Sequence, residues 1–307
     1  MANKNNYVLS SERIYTDKVN NDTLRSRDIM EQMFSKKINL LLESKRPRKS
    51  YSTKGKLCSR RLYQTPFNDN VFTKHTNIPT SDTTIVMLID ASGSMDGSVN
   101  INLGTEDFRV NRIQACNAVV SAFAKSVDRV TNNAIKLEVF TKTSADISDA
   151  NILGMKGAFP ALTRVYTNSK KKMDTDRILQ LDTMSPIIKK YNDGERHGVG
   201  SSTPEYSVLP ALFNWVKKNV TTKNVVIFNL TDGDTYSCIN NINIGNEFTQ
   251  QMREKYLRHT ENITLYIDGE ATEEAKQVYG NNLIGTDGDF VTPMFNALIK
   301  IFNKSIT

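Results

Sequence analysis

At 307 residues, with 38% hydrophobic and 24% charged side chains, the chain can bury one large core or two modest ones and is too apolar for a disordered protein. Its three cysteines, Cys58, Cys116 and Cys238, are odd in number and far apart, which argues against a disulfide framework or a CxxC metal site and for a reducing cytoplasm. No apolar stretch approaches the roughly 20 residues of a membrane span, and Met1 to Ser10 lack the apolar core of a signal peptide.

The first 21 residues are polar, rich in Asn, Lys and Ser, and are expected to be extended or poorly ordered. Over residues 22–43, Leu24, Ile29, Met33, Phe34, Ile38, Leu41 and Leu42 recur at helical spacing and predict an amphipathic helix that needs a partner surface. Pro47 ends it. The formal charge of +7 gathers in the next segment, where Arg46, Arg48, Lys49, Lys54, Lys56, Arg60, Arg61 and Lys74 crowd together with few acids between them. Such a cluster can hold phosphates or acidic partners, and Arg60 and Arg61 are its candidate partner-binding residues. No nucleic-acid-binding motif accompanies it. Residues 51–80 otherwise read as an irregular arm lying on the main domain, so the chain divides into an extension over 1–80 and a domain over 81–307.

In the main domain the elements alternate. A strand at 85–89 is followed by a helix at 106–127 and a more exposed, alternating strand at 135–140. Residues 141–192 hold a short edge strand at 164–167 and a helix at 176–181. Then come a helix at 207–220, a strand at 225–230, a helix at 245–258, a strand at 263–267, a helix at 270–278, a short strand at 282–284 and a last helix at 291–302. Strands alternating with helices predict an α/β fold: a three-layer, doubly wound, mostly parallel sheet with helices on both faces, plus the N-terminal helical arm.

The run Ile85-Val86-Met87-Leu88-Ile89 has no polar alternation, as befits a strand covered on both faces, and it stops on Asp90. Ligands of such sheets bind outside the carboxyl ends of strands. Asp90, Ser92 and Ser94 are spaced by two, so an extended loop presents their oxygens on one side, and Gly93 lets it bend. Hard oxygen donors without His or Cys suit Mg²⁺, with Mn²⁺ as the alternative, better than zinc. A second apolar strand ends at Thr231-Asp232-Gly233, and a Ser201-Ser202-Thr203-Pro204 loop precedes the helix before it. Two carboxylates and several hydroxyls can therefore meet at one edge of the sheet.

Asp90-Ala91-Ser92-Gly93-Ser94, a later loop threonine and Thr231-Asp232-Gly233 together resemble the DxSxS...T...D signature of von Willebrand factor A domains over about residues 81–305. The resemblance implies a metal-ion-dependent adhesion site made by Asp90, Ser92, Ser94, Thr203 and Asp232, holding Mg²⁺ whose open position takes an acidic residue of a partner protein. The segment Lys54 to Leu62, then Val71-Phe72-Thr73-Lys74, and the closing Asn282 to Asp287 are similar to the cobaltochelatase subunit CobT, without its long acidic middle region. This second resemblance implies a non-catalytic adaptor for an AAA+ ATPase of MoxR or CobS type in chelatase assemblies, in the cytoplasm of a bacterial or phage-infected cell. Two other readings are a metal-dependent hydrolase and a nucleic-acid-binding protein using the basic arm. Against the first, the second acid of a dehalogenase-type phosphatase is replaced by Ser92, and neither a GxxxxGK[ST] loop nor a GxSxG elbow is present.

Overall fold

The apolar run ending on Asp90 lies in the middle of a six-stranded sheet. The computed structural model describes residues 19–44, 49–52, 54, 56–60, 72–75, 83–104, 106–131, 135–146, 158–168, 173–183, 205–233, 238–239, 242–243, 245–257, 260–267, 271–286 and 288–304. Helix α1 (Asn21–Ser44) precedes strands β1 (Lys49–Ser52), β2 (Lys56–Leu57) and β3 (Phe72–His75). The main domain opens with β4 (Thr83–Asp90), followed by the hairpin β5 (Ser98–Asn102) and β6 (Asp107–Asn111), helix α2 (Arg112–Thr131), β7 (Ile135–Asp146), β8 (Ala158–Thr167) and the single turn α3 (Asp176–Leu179). Then follow α4 (Glu205–Asn219), β9 (Asn224–Thr231), the two-residue strands β10 (Cys238–Ile239) and β11 (Ile242–Asn243), α5 (Gly245–Leu257), β12 (Glu261–Tyr266), α6 (Glu273–Tyr279), β13 (Leu283–Gly285) and α7 (Val291–Lys304).

The central sheet has the order β13-β12-β9-β4-β7-β8. Every neighbouring pair is parallel except β7 with the edge strand β8. All eight residues of β4 are buried, because both faces of the strand are covered. Ile85, Met87 and Ile89 point into a core shared with Phe34 of α1, Phe123 of α2 and Met294 of α7. Val86 and Leu88 point the other way, onto Leu209 and Leu212 of α4 and Leu257 of α5. Each such side chain contributes about 1.5–3 kcal/mol by leaving water, so the strand carrying Asp90 is anchored from both sides. This is the three-layer α/β arrangement expected from the alternation of elements.

The N-terminal helix finds its partner surface within the chain. Met30, Phe34 and Ile38, four residues apart, are buried, and Phe34 meets Phe123 edge to face at 5.5 Å. Ser126 of α2 donates to the Glu31 carbonyl at 3.0 Å, fixing the register of α1 on α2.

Four expectations are corrected in detail. Residues 107–111 are strand, not helix: Ile101, Leu103, Phe108 and Val110 are buried at alternate positions, so period 2 governs there and α2 begins at Arg112. β7 runs twelve residues, and Ile135 and residues 137–142 are buried, not exposed; its alternating Glu138 lies inside because Arg164 and Thr167 of β8 bond it at 2.8 and 2.9 Å. β8 is correspondingly longer than the four residues expected. The basic arm is ordered where described, with β3 pairing antiparallel to both β1 and β2. No helix among the described residues is long and apolar enough to cross a membrane.

Candidate metal site

β4 and β9 are neighbours at the point where the winding reverses: β4 crosses over through α2 to β7, whereas β9 crosses over through α5 to β12. The loops leaving the carboxyl ends of two such strands part in opposite directions and leave a crevice. Asp90 ends β4, and Asp232 directly follows β9. Gly233 then turns the chain with φ +92°, and a Cβ there would run into the Tyr266 ring, so this step of the loop requires glycine.

Asp90 is wholly buried, and both its oxygens are engaged. Oδ1 accepts the Ser92 backbone N–H at 3.0 Å, while Oδ2 accepts the Thr231 hydroxyl at 2.7 Å and lies 3.5 Å from the Lys142 ammonium. Its carboxylate thus shapes the loop and ties the ends of β4 and β9 together. The Ser92 amide bond folds the loop back so that the Ser92 and Ser94 hydroxyl oxygens stand 2.9 Å apart. Asp232, 3% exposed at its side chain, closes the other wall.

An octahedral Mg²⁺ with oxygens at about 2.1 Å has neighbouring oxygens about 3 Å apart, and the Ser92–Ser94 separation of 2.9 Å matches that edge. Two hydroxyls beside two carboxylates are hard oxygen ligands. Among the described residues no group of three His, Cys, Asp or Glu side chains could hold a metal, so a cation here depends on the hydroxyls. Of the expected site residues, Asp90, Ser92, Ser94 and Asp232 come together. Thr203 and its neighbours Ser201 and Ser202 lie outside the described residues. Arg60 is exposed on the arm, and Arg61 lies outside the described residues.

Sequence reasoning missed three side chains that set the electrostatics. Lys142 lies directly across from Asp90 in the β4–β7 register. It is fully buried and bonds Glu205 Oε2 at 2.7 Å. Glu205, the first residue of α4, also receives Arg253 at 2.7 Å, the Tyr279 hydroxyl at 2.9 Å and the Asn229 amide at 3.3 Å. Burial alone would push its carboxyl up, but Lys142 and Arg253, with the hydrogen bonds from Lys142 and Tyr279, outweigh it and hold it at about 2. Burial, and then the charge of Glu205, raises Tyr279 well above its usual range, so it remains a phenol and a donor.

The third is Arg112, the first residue of α2. Its Nη1 donates to the Ser94 carbonyl at 3.0 Å and to Asp232 Oδ2 at 3.3 Å. Its backbone N–H donates to the Gly97 carbonyl at 2.8 Å, and a Cβ on Gly97 would stand 3.0 Å from the guanidinium carbon. Beneath these groups, burial and then the charges of Asp90 and Asp232 push the Cys116 thiol well up, so it is an unreactive core group. The signals that could have found Lys142 and Arg112 were the continuation of β7 past Phe140 and the alternation ahead of α2.

No family model matches the chain, and no curated protein matches it. Among solved structures it is similar to the pilus adhesin SpaC from Lactobacillus rhamnosus GG in its open conformation, at 14% identity and a TM-score of 0.41, over 73% of this chain and 30% of the adhesin. It is also similar to an uncharacterized membrane spanning protein from Vibrio fischeri, at 14% identity and a TM-score of 0.24, over 72% of this chain and 97% of that protein. Likenesses this slight assign no family.

Proposed function

We propose that the chain is an Mg²⁺-dependent interaction module of von Willebrand factor A type, similar to CobT, serving as adaptor to a MoxR-type AAA+ ATPase. The observation that carries this reading is the pair of serine hydroxyls 2.9 Å apart, set between two carboxylates at the carboxyl ends of adjacent central strands. Ser92, Ser94 and Asp232 would hold the ion, with Thr203 added by the resemblance. Asp90 would orient the loop from behind, since its oxygens are occupied by Ser92, Thr231 and Lys142. The bound ion would supply an electropositive point for a partner's carboxylate. The chain's own residues fix the loop and keep the surrounding charge low.

The test uses Ser94, which is half-buried and whose hydroxyl meets that of Ser92. Mn²⁺ binding by the wild type, followed by electron paramagnetic resonance, should be lost in Ser94→Ala and in Asp232→Asn while far-ultraviolet circular dichroism is unchanged. Wild-type protein that binds no Mn²⁺ or Mg²⁺ at millimolar concentration would sink the metal reading. Mg²⁺-dependent capture of a purified MoxR-type ATPase, absent with Ser94→Ala, tests the adaptor role.

A further inference from the structure

Asp232 already has a cation at the mouth of the site. Arg112 contacts Asp232 Oδ2 at 3.3 Å and the Ser94 carbonyl at 3.0 Å, so its guanidinium bridges the two segments that would hold the ion. It lies flat against Gly97, where a Cβ would stand 3.0 Å from the guanidinium carbon and from Nη1. Arg112 is also the first residue of α2, where the helix dipole disfavours a positive charge. Asp232 and the Ser94 carbonyl thus help to hold it against the field of its own helix. The side chain is 19% exposed, whereas Lys142, the cation nearest Asp90, is wholly enclosed. Of these two cations, Arg112 has the way out to solvent.

We propose that Arg112 and the divalent ion compete for Asp232, so that metal entry turns Arg112 out to the rim as a second contact for an acidic partner. The inference rests on the metal reading above and deepens it. In the metal-free protein Arg112 neutralises Asp232 and holds the Ser94 loop closed. With the ion bound, two like charges crowd one carboxylate, and the guanidinium moves outward along its partly open side. A partner carboxylate on the ion then finds a bidentate donor beside it.

Mn²⁺ titration of the wild type and of Arg112→Gln, with Arg112→Met as a second uncharged variant, tests the competition. Removing a partly exposed counter-ion should tighten Mn²⁺ binding by about fivefold. Equal or weaker binding in the variants overturns it. The wild type gives an independent reading: phenylglyoxal, which modifies accessible arginines, should label the Arg112 peptide faster with Mn²⁺ than with EDTA, as measured by mass spectrometry. Unchanged or slower labelling in a protein that binds Mn²⁺ overturns the proposal while leaving the metal site intact. Failure of wild type and variants alike to bind Mn²⁺ removes both.

Discussion

Two carboxylate–cation clusters flank the same crevice, and they differ in what surrounds them. In the interior cluster, Lys142 bridges Asp90 and Glu205, both carboxylates and the ammonium are wholly buried, and Arg253, Tyr279 and Asn229 fill the remaining positions on Glu205. In the rim cluster, Arg112 meets Asp232 at 3.3 Å with 19% of its side chain exposed. A buried charge stripped of its partner has no water to turn to, whereas one at a rim does. The interior cluster is therefore scaffold, whereas in the rim cluster the cation can exchange while the enclosed Asp232 carboxylate, 3% exposed, still needs one.

The largest expected effect comes from breaking the scaffold. Lys142→Met leaves Asp90 and Glu205 without their shared cation and should cost about 3–5 kcal/mol, lowering Tm by roughly 10 °C in calorimetry. Adding Glu205→Gln should restore part of that loss, because the neutral amide no longer requires the ammonium; a double variant no more stable than the single one would place the damage elsewhere.

Acid should dismantle the same cluster in the wild type. The Glu205 carboxyl is depressed from its ordinary 4.5 to about 2. The folded protein therefore binds the proton less well than the unfolded chain, and stability falls as pH drops. The contribution is fully present above about 4.5 and is lost by about 2, amounting to about 3 kcal/mol. Urea unfolding between pH 5 and pH 2 should show this slope, and Glu205→Gln should flatten it. An unchanged slope would mean that other carboxyls govern the acid transition.

How far the sequence led follows the same division. The apolar run before Asp90 announced its own depth because each of its residues is covered, and the spacing of Asp90, Ser92 and Ser94 announced the loop. Both are local signals. The partners that decide charge are distant: Lys142 faces Asp90 only through strand register, and Glu205 reaches Lys142 from the start of another helix. Neither pairing leaves a periodicity to read. Arg112 is hidden in the sequence because Val110 also fits the helical spacing of Ile113 and Ala118, which carries the expected helix back to residue 106 and the start of α2 away from the crevice. The partner surface of α1 was legible only as a need, since its apolar stripe does not say which helix covers it.

A smaller effect separates the rim from the scaffold directly. Arg112→Gln keeps an amide donor beside the buried Asp232 carboxylate and should cost about 1–2 kcal/mol of unfolding free energy in metal-free buffer, against the several expected for Lys142→Met. A loss comparable to Lys142→Met would make Arg112 part of the scaffold.

The smallest effect belongs to an ion pair with neither enclosure nor a shared site. Arg25 of α1 meets Glu106, just ahead of β6, at 2.8 Å, with side chains 67% and 34% exposed. Its distance is as short as those inside the scaffold, so a ranking by distance would place it among the strong pairs. Ranking by enclosure places it last, since solvent screens both charges and two long side chains lose freedom to meet. Arg25→Ala should cost under about 0.5 kcal/mol in urea unfolding, and even that should vanish near 1 M salt, where the screening length is about 3 Å. A loss of more than about 1 kcal/mol that persists at high salt would show that Arg25 pins α1 to the hairpin through its hydrocarbon stem rather than its charge.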